Sequence, residues 1–399
     1  MSRNRIALVS TYFHHSRDSI QQMLAAAFPE YQIDNIPADE IVAKFKTWIA
    51  PNLLYVGREF GIDVLLRRTT IRRSYRQTTY VFRRLREAMA QIISPERYAC
   101  SFQTQSVCDA SVPGIPHFIY TDHTHLSNLH YPYFNKRNLR SPKWIELERS
   151  TYHNAARVFT RSKNIAADLV RFYGVPEEKA ICVFAGANAP VSDRSSSTND
   201  RYDRANVLFV GTDWERKGGR ILLEAFRQVT RAIPNAHLTI IGPAISTNVS
   251  WCTCLGQLTL AELTEQFQKA SVFCLPTQLE PFGVALVEAM LHKLPVVATQ
   301  VGAIPEIVQH GSTGDLVPPG DVGALAETLI RLLKDPERCR NYGEAGYQRA
   351  SAVYSWQRVG ERIRHAVMPL IAKPSNTTPV KAAQPASSPF AHAPPVMTK

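Results

Sequence analysis

The chain has 399 residues, too many for one ordinary hydrophobic core, and its 45% apolar content is that of a globular protein of about two domains. Seven cysteines, an odd number lying mostly inside apolar runs, exclude a disulfide scaffold and fit reduced thiols. The formal charge of +12 sits mainly in residues 1–190, where 25 Lys and Arg face 16 Asp and Glu, and such a surface suits nucleic acid, an anionic membrane or an anionic substrate without choosing among them.

The opening MSRNRIALVS has four consecutive apolar residues before polar ones return, so neither a signal peptide nor a membrane span is expected there. No later run reaches spanning length, and a cytoplasmic protein, peripheral at most at the inner face of a membrane, is the expectation. Arg5 to Ser10 reads as a buried parallel strand. Thr11 to Ser16 contains no glycine, residues 19–28 look helical, and 37–66 carry no clear pattern.

From Ile71 to Ile93, the residues Ile71, Tyr75, Phe82, Leu85, Met89 and Ile92 fall on one helical face, and arginines crowd Arg67 to Arg86. Two readings stand side by side: a helix packed on its own domain with a solvated basic face, and a surface docked on anionic lipid. No nucleic-acid reader motif accompanies the segment, so nucleic acid is not an expected partner.

Strand-like runs follow at 99–106, 117–120, 157–160 and 180–184, with a helix over 164–173 between the last two. This alternation predicts a doubly wound parallel sheet, whose ligands bind beyond the carboxyl ends of the strands. Asp122, His123 and His125 sit at one such end, although each histidine is as readily a hydrogen-bonded structural residue. The first domain is therefore placed at 1–190. The serine-rich stretch Val191 to Arg204 reads as a linker, and alternation then resumes over 205–350. Residues 351–373 predict a helix crossing back to the first domain, and the Pro, Ala, Ser and Thr composition of 374–399 predicts disorder. Cys252 and Cys254 lack further ligands at zinc spacing and are read as structural, with no metal expected.

Two stretches of the second domain carry chemistry. Gly211 to Gly219 (GTDWERKGG) follows a strand and enters a helix, where backbone N–H groups with Arg216 and Lys217 suit a phosphate. Its spacing is not that of a P-loop, and no G-x-G-x-x-G opens either domain. Glu280 to Leu294 (EPFGVALVEAMLHKL) turns at Phe282 and Gly283 into an apolar helix whose sole acid is Glu288. A carboxylate so placed costs several kcal/mol unless something hydrogen-bonds it, and is equally a core acid paired with a nearby cation or a ligand contact.

Taken together, GTDWERKGG, LPTQLEPFGVALVEAM, VGAIPEIV (Val301 to Val308), TGDLVPPGD (Thr313 to Asp321) and TRSKNIAADLVRFYGVPEEKA (Thr160 to Ala180) resemble the retaining family-4 glycosyltransferases of the GT-B fold. That resemblance implies two Rossmann-like α/β domains facing across a cleft. A nucleoside diphosphate sugar sits on the second domain and a glycan or lipid-linked acceptor on the first, and a hexose is transferred without cofactor or metal. The absence of any D-x-D triplet agrees with metal independence. By the same resemblance Glu280 contacts the donor sugar and Glu288 the ribose diol, Phe282 and Gly283 lie against sugar and diphosphate, and Lys217, helped by Arg216, neutralises the leaving group. Asp122, His123 and His125 compete for the place of the family's histidine near the sugar. Thr212 stands where the family usually has arginine, and the first loop lacks the family's glycines. Those departures keep open a second expectation, a membrane-docked scaffold that binds sugar nucleotide with little or no turnover.

Overall fold

The computed structural model describes residues 4–11, 17–188 and 199–371. Most of the glycine-free loop, residues 191–198 of the expected linker and the expected disordered tail lie outside the described residues.

Among the described residues, twelve strands form two six-stranded parallel sheets. The first comprises β1 (Arg5–Ser10), β2 (Gln32–Pro37), β3 (Cys100–Thr104), β4 (His117–Thr121), β5 (Arg157–Thr160) and β6 (Ala180–Cys182), in the order β2-β1-β3-β4-β5-β6. Its helices are α1 (Arg17–Ala27), α2 (Ala38–Lys44), α3 (Ile49–Leu65), α4 (Ile71–Tyr75), α5 (Thr79–Ile92), α6 (Pro142–Asn154) and α7 (Lys163–Tyr173). The central strands are buried on both faces, which is why they read as continuous apolar runs. Phe102, Phe118 and Phe159, from three neighbouring strands, stack across one face.

The second sheet comprises β7 (Asn206–Val210), β8 (His237–Ile241), β9 (Cys252–Cys254), β10 (Val272–Leu275), β11 (Val296–Thr299) and β12 (Gly314–Val317), in the order β12-β11-β10-β7-β8-β9. Around it lie α8 (Gly219–Ala232), α9 (Leu260–Lys269), α10 (Val284–Leu291), α11 (Ile304–Ile307), α12 (Val322–Leu333) and α13 (Pro336–Val353). Strand order reverses between β7 and β10, so the loops after these two strands part at a crevice at the carboxyl edge. These loops are GTDWERKGG and the run leading into EPFG. The last helix, α14 (Trp356–Ile371), packs Val359, Ile363 and Val367 into the first-domain core beside Met23 and Phe28. Arg364 fastens it by donating to the Ala27 carbonyl at 2.7 Å.

Two expectations need correction. The helical pattern of 71–93 is two helices, α4 and α5, because the intervening residues are captured from α3: Thr78 donates to Asn52 at 2.5 Å and accepts from the Val81 N–H at 3.1 Å, while Glu59 accepts from the Thr79 N–H at 3.0 Å. Polar capture of a chain by caps ends a helix that periodicity alone would continue. Ile71 and Ile92 accordingly fall outside the buried face, at 53% and 39% exposure. The unreadable stretch 37–66 is helical as α2 and α3, and α3 turns Leu54 (76%), Ile62 (73%) and Leu65 (81%) outward, so its apolar residues trace no inward stripe.

Candidate active site

After β7 the chain turns on Gly211. Its missing Cβ leaves room for the Lys217 side chain, which a Cβ there would meet at 3.0 Å. Asp213 holds the turn, accepting from the Arg216 backbone at 3.2 Å and guanidinium at 3.1 Å. Gly218 starts α8 at φ 77°, where a side chain would collide with the Pro276 carbonyl, so the two loops bordering the crevice touch through backbone. Further contacts lock them: the Arg216 carbonyl accepts from the Gln278 N–H at 2.8 Å, and the Arg216 guanidinium donates to the Leu279 carbonyl at 2.9 Å.

Held this way, Lys217 and Glu280 form an ion pair in which both side chains are largely buried. Gly283 then opens α10 at φ 108°, and the first-turn N–H groups of that helix, lacking intrahelical acceptors by construction, face the same end as Glu280. Phe282 is 2% exposed and packs edge-on against Tyr354 at 6.0 Å; its ring belongs to the core, which leaves the backbone of 282–283 as the surface on offer. Glu288, one face further along α10, is 7% exposed and accepts from the Asn188 N–H at 3.1 Å. The carboxylate expected to await donors thus already has a backbone one, supplied from the end of the first domain. Thr212 is exposed, and Arg216, the alternative source of its missing charge, is tied to Asp213 and Leu279.

Across the crevice, the carboxyl edge of the first sheet brings Asp122 and Arg161 together. Asp122 accepts from Gln105 at 2.6 Å and lies 3.8 Å from the buried Arg161, whose guanidinium stacks over Tyr120. The His123 ring is 6.1 Å from Tyr131, and both its nitrogens are buried. Burial holds the His123 pKa below its ordinary value against the opposing pull of Asp122, so the ring is a neutral imidazole. His125 is separated from this pair. Its Nε2 accepts from the Arg140 N–H at 2.8 Å, its ring meets Trp144 edge-on, and burial followed by the Arg140 charge lowers its pKa to about 3. Of the three competitors, Asp122 and His123 remain at the crevice and His125 holds a loop.

Sequence reasoning missed three residues that join the walls. Tyr131 reaches into the second-domain core at 5% exposure, and its hydroxyl pKa is raised by burial and then by the charges of Glu280 and Asp122. Gly302, at φ 54°, lies directly on the Glu280 carbonyl and 2.9 Å (from an ideal Cβ) to the Tyr131 hydroxyl, so no side chain fits there. Glu306 accepts from the Lys163 and Asn164 N–H groups at 2.7 and 2.8 Å, capping α7 from the opposite domain. Gly302 and Glu306 lie inside VGAIPEIV, a segment that sequence picks out; nothing local distinguishes Tyr131.

Comparison with known proteins follows this division of the molecule. Residues 38–188 match the family model "Glycosyltransferase Family 4", and residues 204–335 match "Glycosyl transferases group 1". Among curated proteins, the MMP alpha-(1->4)-mannosyltransferase of Mycolicibacterium hassiacum is 29% identical over 229 residues, 54% of each chain. The phosphatidyl-myo-inositol mannosyltransferase of Mycobacterium leprae is 35% identical over 167 residues, 39% of this chain and 44% of that protein. The matches thus span about half the length of these relatives or less. Among solved structures, sucrose-phosphate synthase from Thermosynechococcus elongatus superposes with a TM-score of 0.66 at 19% identity, covering 93% of this chain and 100% of its own. Anabaena Alr3699/HepE, solved with UDP and glucose, superposes with a TM-score of 0.63 at 16% identity, covering 92% and 99%. With both sheets and both matched regions in this order, the chain belongs to the family-4, group 1 glycosyltransferases of the GT-B fold.

Proposed function

We propose that the chain transfers a hexose from a nucleoside diphosphate sugar held on the second-domain wall to a glycan or lipid-linked acceptor held on the first, with retention and without a metal. The observation that carries this reading is the Lys217–Glu280 pair at the point where strand order reverses. Donor binding draws Lys217 toward the diphosphate, whose negative charge grows as the glycosidic bond breaks, and frees Glu280 to accept from the sugar hydroxyls. The first-turn N–H groups of α8 and α10 add positive ends at the same place. Glu288 accepts from the ribose diol alongside the Asn188 N–H. Neutral His123 hydrogen-bonds a sugar hydroxyl, and Asp122, ordered by Gln105 and Arg161, orients the acceptor. Relatives named for mannosyl transfer and a structural neighbour solved with UDP and glucose support a mannosyl or glucosyl donor.

The acceptor side includes an anionic membrane surface. The exposed Leu54, Ile62, Leu65, Leu66 and Ile71 border the arginines of Arg67 to Arg76, an arrangement of apolar anchors ringed by cations that matches a lipid interface. Among the described residues no helix is long and apolar enough to cross a membrane.

A ligand-stabilisation screen with nucleoside diphosphates, followed by transfer assays with the matching sugar nucleotides, tests the donor reading. One diphosphate nucleotide is expected to raise the melting temperature, and Lys217→Ala is expected to abolish that rise and to lower turnover by about a hundredfold or more. Stabilisation unchanged in both Lys217→Ala and Glu288→Ala sinks the donor assignment.

A further inference from the structure

The first domain holds a cavity of about 650 Å³ that the donor chemistry does not use. α3, the segment from Arg68 to Gln77 and the loop from His125 to Ser141 enclose it, and Leu279 closes it from the second domain. Leu279 precedes Glu280 and His125 follows His123 by two residues, so the cavity adjoins the crevice on both walls.

Three arginines line it: Arg68, Arg73 and Arg140. Arg68 has Asp63 at 3.5 Å as a counter-charge. The acid Glu59, also at the wall, is committed to the start of α5 through the Thr79 N–H and hydroxyl. Arg140 is different. Its guanidinium is fixed between the Phe60 and Trp144 rings, at 4.9 and 5.4 Å from their centroids, and donates to Gln77. Its Nη1 is buried without a hydrogen-bond partner among the described residues. Burial, and then the like charge of Arg73, bring its pKa down to about 10. The carboxylates of Glu148, Glu59 and Asp63 pull the other way without offsetting this, and the guanidinium stays a cation with an unused donor, since proteins almost never neutralise arginine. Two cations repelling each other across a polar cavity beside a transfer site are relieved by an anion placed between them.

We propose that this cavity is an acceptor subsite that recognises a phosphate group, with Arg73 and Arg140 as its ligands and the Phe60 and Trp144 rings as the element that fixes Arg140. Phosphate is the favoured anion because it offers several acceptor oxygens to two guanidinium groups that line one cavity. Binding there presents the rest of the acceptor toward Leu279 and Glu280, where the donor sugar ends. The same chemistry serves a soluble phosphorylated sugar and the phosphodiester of a lipid headgroup. The inference rests on the transferase reading for its acceptor role, but the anion site stands on its own residues.

The experiment uses the full chain with the nucleoside diphosphate present at saturation, so that the donor site contributes no free anion site. Phosphorus NMR line broadening then follows inorganic phosphate and a hexose 6-phosphate, and flotation follows vesicles with and without an anionic phospholipid. The expected result is broadening by the parent protein that weakens about tenfold or more in Arg73→Glu and in Arg140→Gln, with nucleotide stabilisation unchanged. Arg73 is exposed, so Arg73→Glu keeps the test informative where Arg140→Gln affects folding. A variant-sensitive signal with hexose phosphate assigns a soluble acceptor, and one confined to vesicles assigns a headgroup; either supports phosphate recognition. Binding of all probes insensitive to both variants overturns the proposal. Loss of nucleotide stabilisation in the parent protein would instead strike the donor reading and leave the anion result intact.

Discussion

On the second-domain wall, Lys217 and Glu280 are set by tight backbone turns: Gly211 makes room for the lysine, Gly218 lets one loop touch the other, and Gly283 opens the helix. On the first-domain wall, Asp122 and Arg140 are set by side chains from elsewhere, Asp122 by Gln105 and Arg140 by Gln77. Backbone constraint makes a wall that few residues specify and little can rearrange. Side-chain assembly makes one that can be respecified by changing the helices and loops that pack on it. That division suits a transferase, in which the donor nucleotide is common chemistry and the acceptor is not.

The comparison breaks most readily at Gly302. Its φ of 54° and the Glu280 carbonyl against its hydrogen leave a methyl group nowhere to go, because the clashing atom is backbone. Gly302→Ala is expected to cost about 2–4 kcal/mol in urea unfolding and to abolish nucleotide stabilisation by moving the Glu280 loop. Gly174 is the control in the other domain: φ is 67°, but no atom lies within 4 Å of the added Cβ. Gly174→Ala should cost about 1 kcal/mol, the left-handed conformation alone. Equal losses in the two variants would show that conformation, and not the touching of two loops, makes Gly302 necessary.

This contrast also accounts for how much the sequence discloses. The glycines and cations of GTDWERKGG and the two acids of EPFGVALVEAM lie within a few residues of the turns they serve, so the second-domain wall is legible as a run of letters. The inner strands of both sheets are legible for a related reason, since buried parallel strands must be apolar throughout, whereas the edge strands β2 (QIDNIP), β9 (CTC) and β12 (GDLV) carry polar residues and no such run. Nothing near Tyr131 records that it enters the other domain's core, and nothing near Arg140 records the Phe60 ring beneath it, because those relations exist only after packing. α3 shows no inward pattern because Leu54, Ile62 and Leu65 face outward, and the periodicity of 71–93 runs across a break that Asn52 and Glu59 make from another helix.

Acid is a gentler way to separate the domains. His117 lies in β4 at 2% exposure with Nδ1 2.8 Å from the Ser101 hydroxyl, and burial lowers its pKa to about 4 despite the nearby Asp109 carboxylate. Asp109 is itself held by Asn154 and faces Arg86 at 3.5 Å. A histidine kept neutral when folded takes its proton only on unfolding. Stability is therefore fully present above the ordinary value of 6.5 and is lost as pH falls from there toward about 4, at about 1.4 kcal/mol per pH unit. His123 and His125 add losses of the same sign, whereas the second domain carries one such histidine among the described residues, His292. At pH 5 the first domain is expected to lose about 2 kcal/mol through His117 alone. Hydrogen exchange, corrected for its intrinsic pH dependence, should show β3 and β4 losing protection before β7 and β10, with His117→Gln flattening the trend. Simultaneous loss in both sheets would mean that the domains unfold as one unit.

The smallest expected effect tests the joint between the walls. Ser162 precedes α7 but its side chain does not cap the helix; the first two N–H groups of α7 instead find both oxygens of Glu306, from α11 of the other domain. The carboxylate answers the orphan donors and the positive end of α7 together, while the Glu306 carbonyl is gripped by Arg349 at 2.6 Å and Tyr354 at 2.9 Å. One residue therefore couples a first-domain helix to the rim of the second-domain sheet, a few residues along the chain from Gly302. Glu306→Gln keeps one acceptor oxygen and removes the charge, so it should cost about 1 kcal/mol in unfolding and speed exchange at Lys163 and Asn164. If the joint also sets how the walls face each other, Glu306→Ala should enlarge the radius of gyration in small-angle scattering while leaving nucleotide stabilisation in place. An unchanged radius with the same stability loss would reduce Glu306 to a helix cap, and would place the burden of aligning the two walls on Tyr131 and Tyr133, whose hydroxyl reaches the Pro319 carbonyl at 3.1 Å.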